Sequence, residues 1–269
     1  DTQEDIYTNP TSGILATLRK ASNTLENTTA SINGDVMFGN NLEQWQRFAN
    51  SLLVRYTLRI SKRLSDFSEL QELADGGLLM ESNADNAVVP YLSAAPNQFP
   101  MSQASQGLYQ EHRMTKTVET ILTDWNDPRI EVLYKPTGKS LIDNNPEYKG
   151  LLNGQSRETI SAEGIDLNDI SLFGSIYRDV ANGVDGQFMI YSELLFALAE
   201  AVQRGYISGD VNQLYNDGIQ AHFGYLELEM PSDYVDQDLV TLNSGNEVEK
   251  IMTQKWLSLI SNGHEAWFN

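Results

Sequence analysis

Apolar residues recur at helical spacing along much of the chain. The strongest pattern runs from Asn41 to Leu64, where apolar residues follow Trp45 at offsets of 3, 4, 7, 8, 11 and 15. These offsets fit the period of an amphipathic helix, about 3.6 residues. Asn41, Asp210 and Asn246 stand at the N-cap position of a patterned segment, the first two with Gln three residues later in a capping-box arrangement. The same reading predicts further helices over 11–25, 67–74, 110–124, 189–204, 210–226 and 246–260.

Two long stretches between these helices lack a helical pattern. Prolines 90, 96 and 100 exclude a long helix from residues 82–106. Residues 135–185 are rich in Gly and Pro and are predicted to be mostly loop. Strand signals are few, and short pairings in the loops are expected, for example around Ile130 to Tyr134. The pattern therefore predicts an all-α fold with long loop insertions, and the helix pair at 189–226 has the size of a tetratricopeptide unit.

The composition excludes several classes of function. The chain has 269 residues, a formal net charge of −19, 41% hydrophobic residues and no cysteine. This is enough apolar material for a sizeable core, while the acidic charge disfavours nucleic-acid binding and adhesion to anionic lipid. Disulfides, thiolate metal sites and cysteine nucleophiles are excluded. The most apolar stretch, Met189 to Val202, contains two glutamates and is too short to span a bilayer.

Four segments together carry a resemblance to a known family. They are Asp35 to Trp45 with the following Phe48-Ala49-Asn50-Ser51-Leu52 and Arg55, then Asp127-Pro128-Arg129, then Tyr191 to Ala201, and finally Ile251 to Leu257 with Glu265-Ala266-Trp267. In order and spacing they resemble the "FANSL…R", "DPR", "SELLFILAEA" and "QKW…EAW" segments of the SusD/RagB family. The resemblance extends over nearly the whole chain.

The resemblance implies a fold, a location and a partner. The fold is all-helical, with tetratricopeptide-like helix pairs and long loop insertions, and residues 1–269 form one such domain. Family members are lipid-anchored on the outer face of the outer membrane, where they cover a SusC-like TonB-dependent channel and capture oligosaccharides or, in some members, peptides. They are not enzymes and need no cofactor. Because family members carry a lipidated cysteine and continue beyond "EAW", we expect this chain to lack an N-terminal portion, with its anchor, and the extreme C-terminus.

A basic stripe stands out in the acidic chain. Arg55, Arg59 and Arg63 follow one another at i, i+4 and i+8. An anion site is one interpretation, and ion pairing inside a packed helix is the one we favour, since buried charges need partners. We expect Arg55 or Arg59 to pair with Glu193 or Glu200, which are seven residues apart and share a helix face.

The aromatic residues divide into core and candidate binding residues. Those in helical stripes are expected in the core, namely Trp45, Tyr56, Phe196, Trp256 and Trp267. Sugar capture stacks a ring on an exposed aromatic face while amides bind the hydroxyls, so loop aromatics and neighbouring amides are the candidates, with the loop 95–100 as first choice. The ligand-binding candidates are Tyr91, Asn97, Gln98, Phe99, Gln103, Tyr109, Tyr148 and Tyr177. The alternative, in which such a ring only anchors its loop, stays open for each.

No catalytic motif accompanies these candidates. The chain has no HExxH, EF-hand, Walker, GxGxxG or GxSxG pattern, and its three histidines are interpreted as surface or structural residues. A loop calcium site is left open. The leading hypothesis is a non-catalytic glycan-binding protein; the alternatives are a peptide-capturing member of the same family and a helical scaffold that binds only protein partners.

Overall fold

The computed structural model describes residues 2–102, 112–243 and 245–269, and this part of the chain is predominantly helical. Two short strands, β1 (Ala87–Pro90) and β2 (Asp185–Met189), are hydrogen-bonded to each other. The all-α prediction is confirmed. In chain order the helices are α1 (Gln3–Thr8), α2 (Ile14–Glu26), α3 (Leu42–Arg59), α4 (Ser68–Gly76), α5 (Lys116–Asp124), α6 (Ile130–Leu133), α7 (Gly138–Ile142), α8 (Arg157–Ala162), α9 (Ser175–Arg178), α10 (Tyr191–Gln203), α11 (Val211–Tyr225), α12 (Glu247–Ser258) and α13 (Gly263–Phe268).

The chain divides into two compact units. The first, here the helical unit, consists of Asp1–Val89, Gln187–Pro231 and Thr241–Asn269. The second, here the loop-rich unit, consists of Pro90–Gly186 and Ser232–Val240. The expectation of one family domain across residues 1–269 stays a prediction.

Helix pairs build the helical unit, as the sequence predicts. Helices α2 and α3 pack together, and α10 packs against α3, α11 and α12. In the pair α10 and α11, Gly218 lies against the fully buried Phe196, and a Cβ at Gly218 would come within 2.7 Å of that ring. The absence of a side chain at this position therefore allows the two helices to approach closely.

Two of the three predicted N-caps, Asn41 and Asp210, are confirmed, but the glutamines beside them make other contacts. The third is wrong, because the Asn246 side chain makes no capping hydrogen bond. The Asn41 side chain accepts hydrogen bonds from the backbone N–H groups of Glu43 and Gln44, and the Asp210 side chain accepts one from Gln213. The Gln44 amide donates to the backbone oxygen of Ala84, 2.8 Å away, instead of returning to its own cap. Asn41 and Asp210 thus cap their helices as the sequence predicts, whereas the Gln44 side chain makes a tertiary contact with Ala84.

Asp35 organises the turn that precedes α3. Its carboxylate accepts hydrogen bonds from the backbone N–H groups of Met37, Phe38 and Asn40 and from the indole N–H of Trp45. Hydrogen bonds to the charged form lower the pKa of Asp35 against the opposing effect of desolvation. The first of the four segments that resemble the SusD/RagB family is therefore a turn followed by the start of a helix. The carboxylate of Asp35 holds this turn in place.

The predicted loops contain more helix than the sequence indicates. The expected strand pairing around Ile130 to Tyr134 is wrong, because residues 130–133 form the short helix α6 and only Tyr134 bridges to Phe173. Residues 135–185 include three further short helices. Short helices of four to six residues show too few turns for a periodic pattern to emerge. None of the helices in the described residues is long and apolar enough to cross a membrane.

A buried ion pair crosses the core of the helical unit. The guanidinium of Arg55 on α3 donates two hydrogen bonds of 2.6 Å to the carboxylate of Glu193 on α10, and a third, of 2.8 Å, to the backbone oxygen of Phe188. The side chains of Arg55 and Glu193 are 4% and 1% exposed. Burial alone would lower the pKa of Arg55, but the charge and hydrogen bonds of Glu193 raise it, so the guanidinium stays charged.

The other two residues of the predicted ion-pair set have different partners. Arg59 donates to Glu265 on α13 at 2.7 Å, and its guanidinium lies over the Phe268 ring. Glu200 accepts from Arg204 at 2.7 Å and lies 3.8 Å from the ammonium of Lys255. The arginine stripe is therefore engaged with acidic side chains inside the helical unit at Arg55 and Arg59.

A second buried guanidinium organises the loop-rich unit. Arg129 is fully buried and is bound by the carboxylate of Asp127, with atoms as close as 2.5 Å, and by the Tyr234 hydroxyl at 3.0 Å. The Tyr234 hydroxyl itself donates to Asp127. Tyr234 belongs to the returning segment 232–240, so this contact closes the unit around its two chain segments.

Arg55→Met is expected to destabilise the protein by about 3–5 kcal/mol, because it leaves the Glu193 carboxylate buried without its partner. Denaturant-induced unfolding measures the change. The matched control is Arg19→Met, which breaks the Arg19–Glu69 pair at 2.5 Å whose side chains are 46% and 41% exposed. This exposed pair should contribute about 1 kcal/mol or less. Equal losses in the two variants would contradict the assignment.

Glu265→Gln is expected to remove an acid-sensitive part of the stability. Burial raises the pKa of Glu265, but the hydrogen bond from Arg59 and the positive charges of Arg55, Arg59 and Lys255 outweigh it, so the net pKa is lowered. A lowered folded-state pKa contributes stability above the unfolded value, about 4.3, that is lost as the pH falls through the folded pKa. The unfolding free energies of wild type and variant should converge on acidification from pH 7; parallel curves would refute this.

Candidate functional site

Aromatic rings of the loop-rich unit form a continuous row. The ring centroids of Tyr91 and Phe99 are 5.4 Å apart, those of Phe99 and Tyr177 are 6.3 Å, and those of Tyr177 and Phe173 are 5.7 Å. Phe173 then stacks on Tyr134 at 5.2 Å. These five rings, here the aromatic row, bring together three of the predicted ligand-binding residues.

Backbone contacts hold the loops that carry the row. The N–H of Phe99 donates to the oxygen of Ala181 at 2.7 Å, and the N–H of Gly174 donates to the oxygen of Leu133 at 2.8 Å. A Cβ at Gly174 would lie only 1.8 Å from the oxygen of Val132, so glycine is required for this close approach. The row is therefore fixed from several loop segments at once.

Most of the row is closed to a ligand. Phe99 is 8% exposed, Tyr177 is 4% exposed and Tyr134 is 3% exposed. The expectation that Phe99 and Tyr177 offer free ring faces is therefore corrected, because both residues are buried, in contact with other rings of the row. A unit rich in loops needs large apolar side chains to anchor those loops, and the burial of Phe99 and Tyr177 follows from that need. Tyr91 and Phe173, in contrast, are partly exposed.

Sequence reasoning did not single out Phe173. It lies in Leu172-Phe173-Gly174, an aromatic directly before a glycine inside a stretch predicted to be loop. The glycine is the signal that the sequence offers, since a close backbone approach beside an aromatic indicates that the ring is held in place. Phe173 thus joins Tyr91 as a partly exposed ring of the row.

The loop after Tyr91 places two predicted amides differently. The Gln98 side chain donates to the backbone oxygen of Ser93 at 2.8 Å, and the backbone oxygen of Asn97 accepts from the N–H of Leu92 at 2.7 Å. Gln98 therefore closes the loop, while the Asn97 side chain is exposed beside it. Tyr91 and Asn97 give this loop one ring and one amide that face solvent in part.

The remaining candidates lie apart from the row or outside the described residues. Tyr148 is partly buried, and burial together with the negative charge of Glu131 raises the pKa of its phenol. Its hydroxyl therefore stays protonated at neutral pH and keeps the ability to donate a hydrogen bond. Gln103 and Tyr109 fall within 103–111, outside the described residues.

The arrangement is suited to binding by contact. Ring faces and amides attract the apolar faces and hydroxyls of a polyhydroxylated ligand without changing its bonds. Within the described ranges, no three His, Asp or Glu side chains are grouped so as to hold a metal ion. The exposed rings and amides around the row offer stacking and hydrogen bonding.

Comparison with known proteins assigns the chain to a family. Residues 1–269 match the SusD-like family described as "Starch-binding associating with outer membrane". No curated protein matches the chain. The chain belongs to the SusD-like family, which confirms the resemblance carried by its four motifs. The family is one of binding proteins associated with the outer membrane.

Solved structures share the fold. A SusD homolog from Bacteroides fragilis superposes with a TM-score of 0.86 at 28% identity, covering 100% of this chain and 63% of that one. A second from the same species gives 0.84 at 22% identity, covering 94% and 60%. A chitin-binding SusD homolog from Flavobacterium johnsoniae gives 0.80 at 23% identity, covering 100% and 59%. The chain thus spans about three fifths of the length of these relatives.

Phe99→Ala is expected to destabilise the protein by about 3–5 kcal/mol, because it removes a buried ring from the row and leaves a cavity. Tyr91→Ala removes a partly exposed ring at the end of the row and should cost clearly less. Thermal and denaturant unfolding of both variants measure the difference. A loss at Tyr91 that equals the loss at Phe99 would show that Tyr91 only anchors its loop.

Proposed function

We propose that this chain is part of a non-catalytic, cell-surface glycan-binding protein. The protein captures an oligosaccharide for import through a SusC-like TonB-dependent channel in the outer membrane. A lipid anchor attaches the protein to that membrane. The observation that carries the proposal is the match of residues 1–269 to a family described as starch-binding and associated with the outer membrane. The chitin-binding relative from Flavobacterium johnsoniae, similar in fold, supports a glycan ligand.

The loop-rich unit supplies the side chains for this function. Tyr91 and Phe173 offer partly exposed rings, and Asn97 offers an exposed amide. In the proposed complex, a sugar ring stacks on Tyr91 while its hydroxyls bond the Asn97 amide. The packed row behind Tyr91 limits the entropy lost on binding, because the ring is held before the ligand arrives.

The overall charge favours a neutral ligand. The chain carries 18 Lys and Arg residues against 37 Asp and Glu residues. A polyanionic glycan would approach against this field, whereas starch-like and chitin-like chains carry no charge. The proposal therefore names neutral oligosaccharides as the ligand class, with peptides as the principal competing class within the family.

A glycan and peptide array, followed by titration calorimetry, tests the proposal. We expect wild type to bind a neutral glycan, such as a hexamer of α-1,4-linked glucose or of β-1,4-linked N-acetylglucosamine. Tyr91→Ala should weaken that binding about 5-fold or more, the range of one stacking contact. The product mixture should contain only intact hexamer after incubation.

The matched control is Trp267→Ala in the helical unit. The prediction that Trp267 packs in the core is wrong, because its ring is 86% exposed, and it lies outside the proposed site. The variant should bind as wild type does. Binding of peptides alone would replace the proposal with the peptide-capturing alternative. If neither glycans nor peptides bind and the protein binds a channel protein tightly, the scaffold alternative would be favoured. The appearance of shortened glycans would overturn the non-catalytic assignment.

A further inference from the structure

A polar pocket lies in the loop-rich unit among residues that the aromatic row does not use. Its volume is about 170 Å³. All of its lining residues carry polar or charged side chains, and none belongs to the row. Here called the polar pocket, it is lined by Thr137, Lys139, Ser140, Asp143, Asn145, Glu147, Lys149 and Asp169.

Buried hydroxyls hold the base of the polar pocket. The Thr137 hydroxyl accepts from the N–H of Ser140 at 3.1 Å and thereby caps α7. The Ser140 hydroxyl donates to the oxygen of Thr137 at 2.9 Å and accepts from the N–H of Glu147 at 3.0 Å. Thr137 and Ser140 are 5% and 6% exposed. These bonds tie the two sides of the loop together, so the pocket has a fixed floor.

The rim of the polar pocket presents charged groups that the protein does not use. Among the described residues, neither the Lys149 ammonium nor the Asp143 carboxylate has a hydrogen-bond or ion-pair partner. Oδ1 of Asp169 is shielded from solvent and has no partner, while Oδ2 lies 3.8 Å from the ammonium of Lys139. The lining of the pocket therefore contains both hydrogen-bond donors and acceptors.

This mixture matches the chemistry of sugar hydroxyls. A hydroxyl donates one hydrogen bond and accepts others, so two adjacent hydroxyls satisfy a carboxylate and an ammonium together. A hydrophobic peptide side chain would find no apolar lining here. The lining holds two lysines against three carboxylates, a formal charge of −1, which disfavours an anionic ligand.

The volume limits how much of a glycan can enter. Pockets that enclose drug-sized ligands measure about 300–1,000 Å³, well above the 170 Å³ of the polar pocket. The volume of the polar pocket therefore suits a single sugar ring, with the rest of the glycan outside the pocket.

We propose that the polar pocket is a second saccharide subsite, which binds one neutral sugar unit by adjacent hydroxyls between Asp143, Asp169 and Lys149. This inference rests on the proposed function, since it assumes a glycan ligand. It adds a hydroxyl-binding subsite, distinct in composition from the aromatic row. Recognition in the pocket is by hydrogen bonds, whereas recognition at Tyr91 is by stacking.

Titration calorimetry of pocket variants with the two hexamers tests the inference. Asp143→Asn and Lys149→Gln change exposed side chains and should leave the unfolding temperature as in wild type. Each is expected to weaken hexamer binding about 10-fold, the effect of losing a charged hydrogen bond. The matched controls are Asp124→Asn and Lys62→Gln, which alter exposed residues outside the pocket and should bind as wild type does.

Hydrogen exchange gives a second readout that does not depend on substitution. Saturating hexamer should protect backbone amides of residues 137–149 in wild type. Wild type that binds hexamer, with pocket variants equal to the controls and no protection of 137–149, would overturn the subsite and leave the proposed function standing. Wild type that binds no glycan on the array would overturn the proposed function and the subsite together.

Discussion

The enclosed contact between Arg55 and Glu193 is the constraint on which the helical unit depends. It joins α3 to α10, and α10 in turn packs against both α11 and α12. Taking two charges out of water is costly, and only mutual bonding of good geometry offsets that cost. The same guanidinium also binds the backbone oxygen of Phe188, so it fixes the chain just ahead of α10. Alternative registers of α3 against α10 would leave both charges without partners.

Elements of the helical unit could be foreseen because their apolar positions repeat over several turns. Helices α3 and α10 are 18 and 13 residues long, enough for a period near 3.6 to stand out. The short helix α6 could not, since Ile130 to Leu133 completes barely one turn. There the turn follows from Asp127 and Arg129, whose buried contact with Tyr234 involves residues more than 100 positions apart. A pattern among neighbouring residues cannot predict a contact between residues so far apart in the sequence.

The candidate site shows the same division between local and tertiary information. Tyr91, Phe99 and Tyr177 are all aromatic residues in predicted loops, and nothing in their sequence neighbourhoods separates them. The fold does so, by enclosing Phe99 and Tyr177 between other rings and leaving Tyr91 at the end of the row. Accessibility is set by which loops meet. The polar pocket has the same origin, because Asp169 reaches Lys139 from a segment thirty residues away.

The Asp127–Arg129–Tyr234 contact has a consequence for how such a protein can change over evolutionary time. It joins the start of the loop-rich unit's short helices to the returning segment without using any residue between 135 and 186. This contact itself uses none of the residues in that interval, and loops tolerate changes of length at small entropic cost. The exposed parts of these loops can therefore change while the same three side chains continue to hold the unit together.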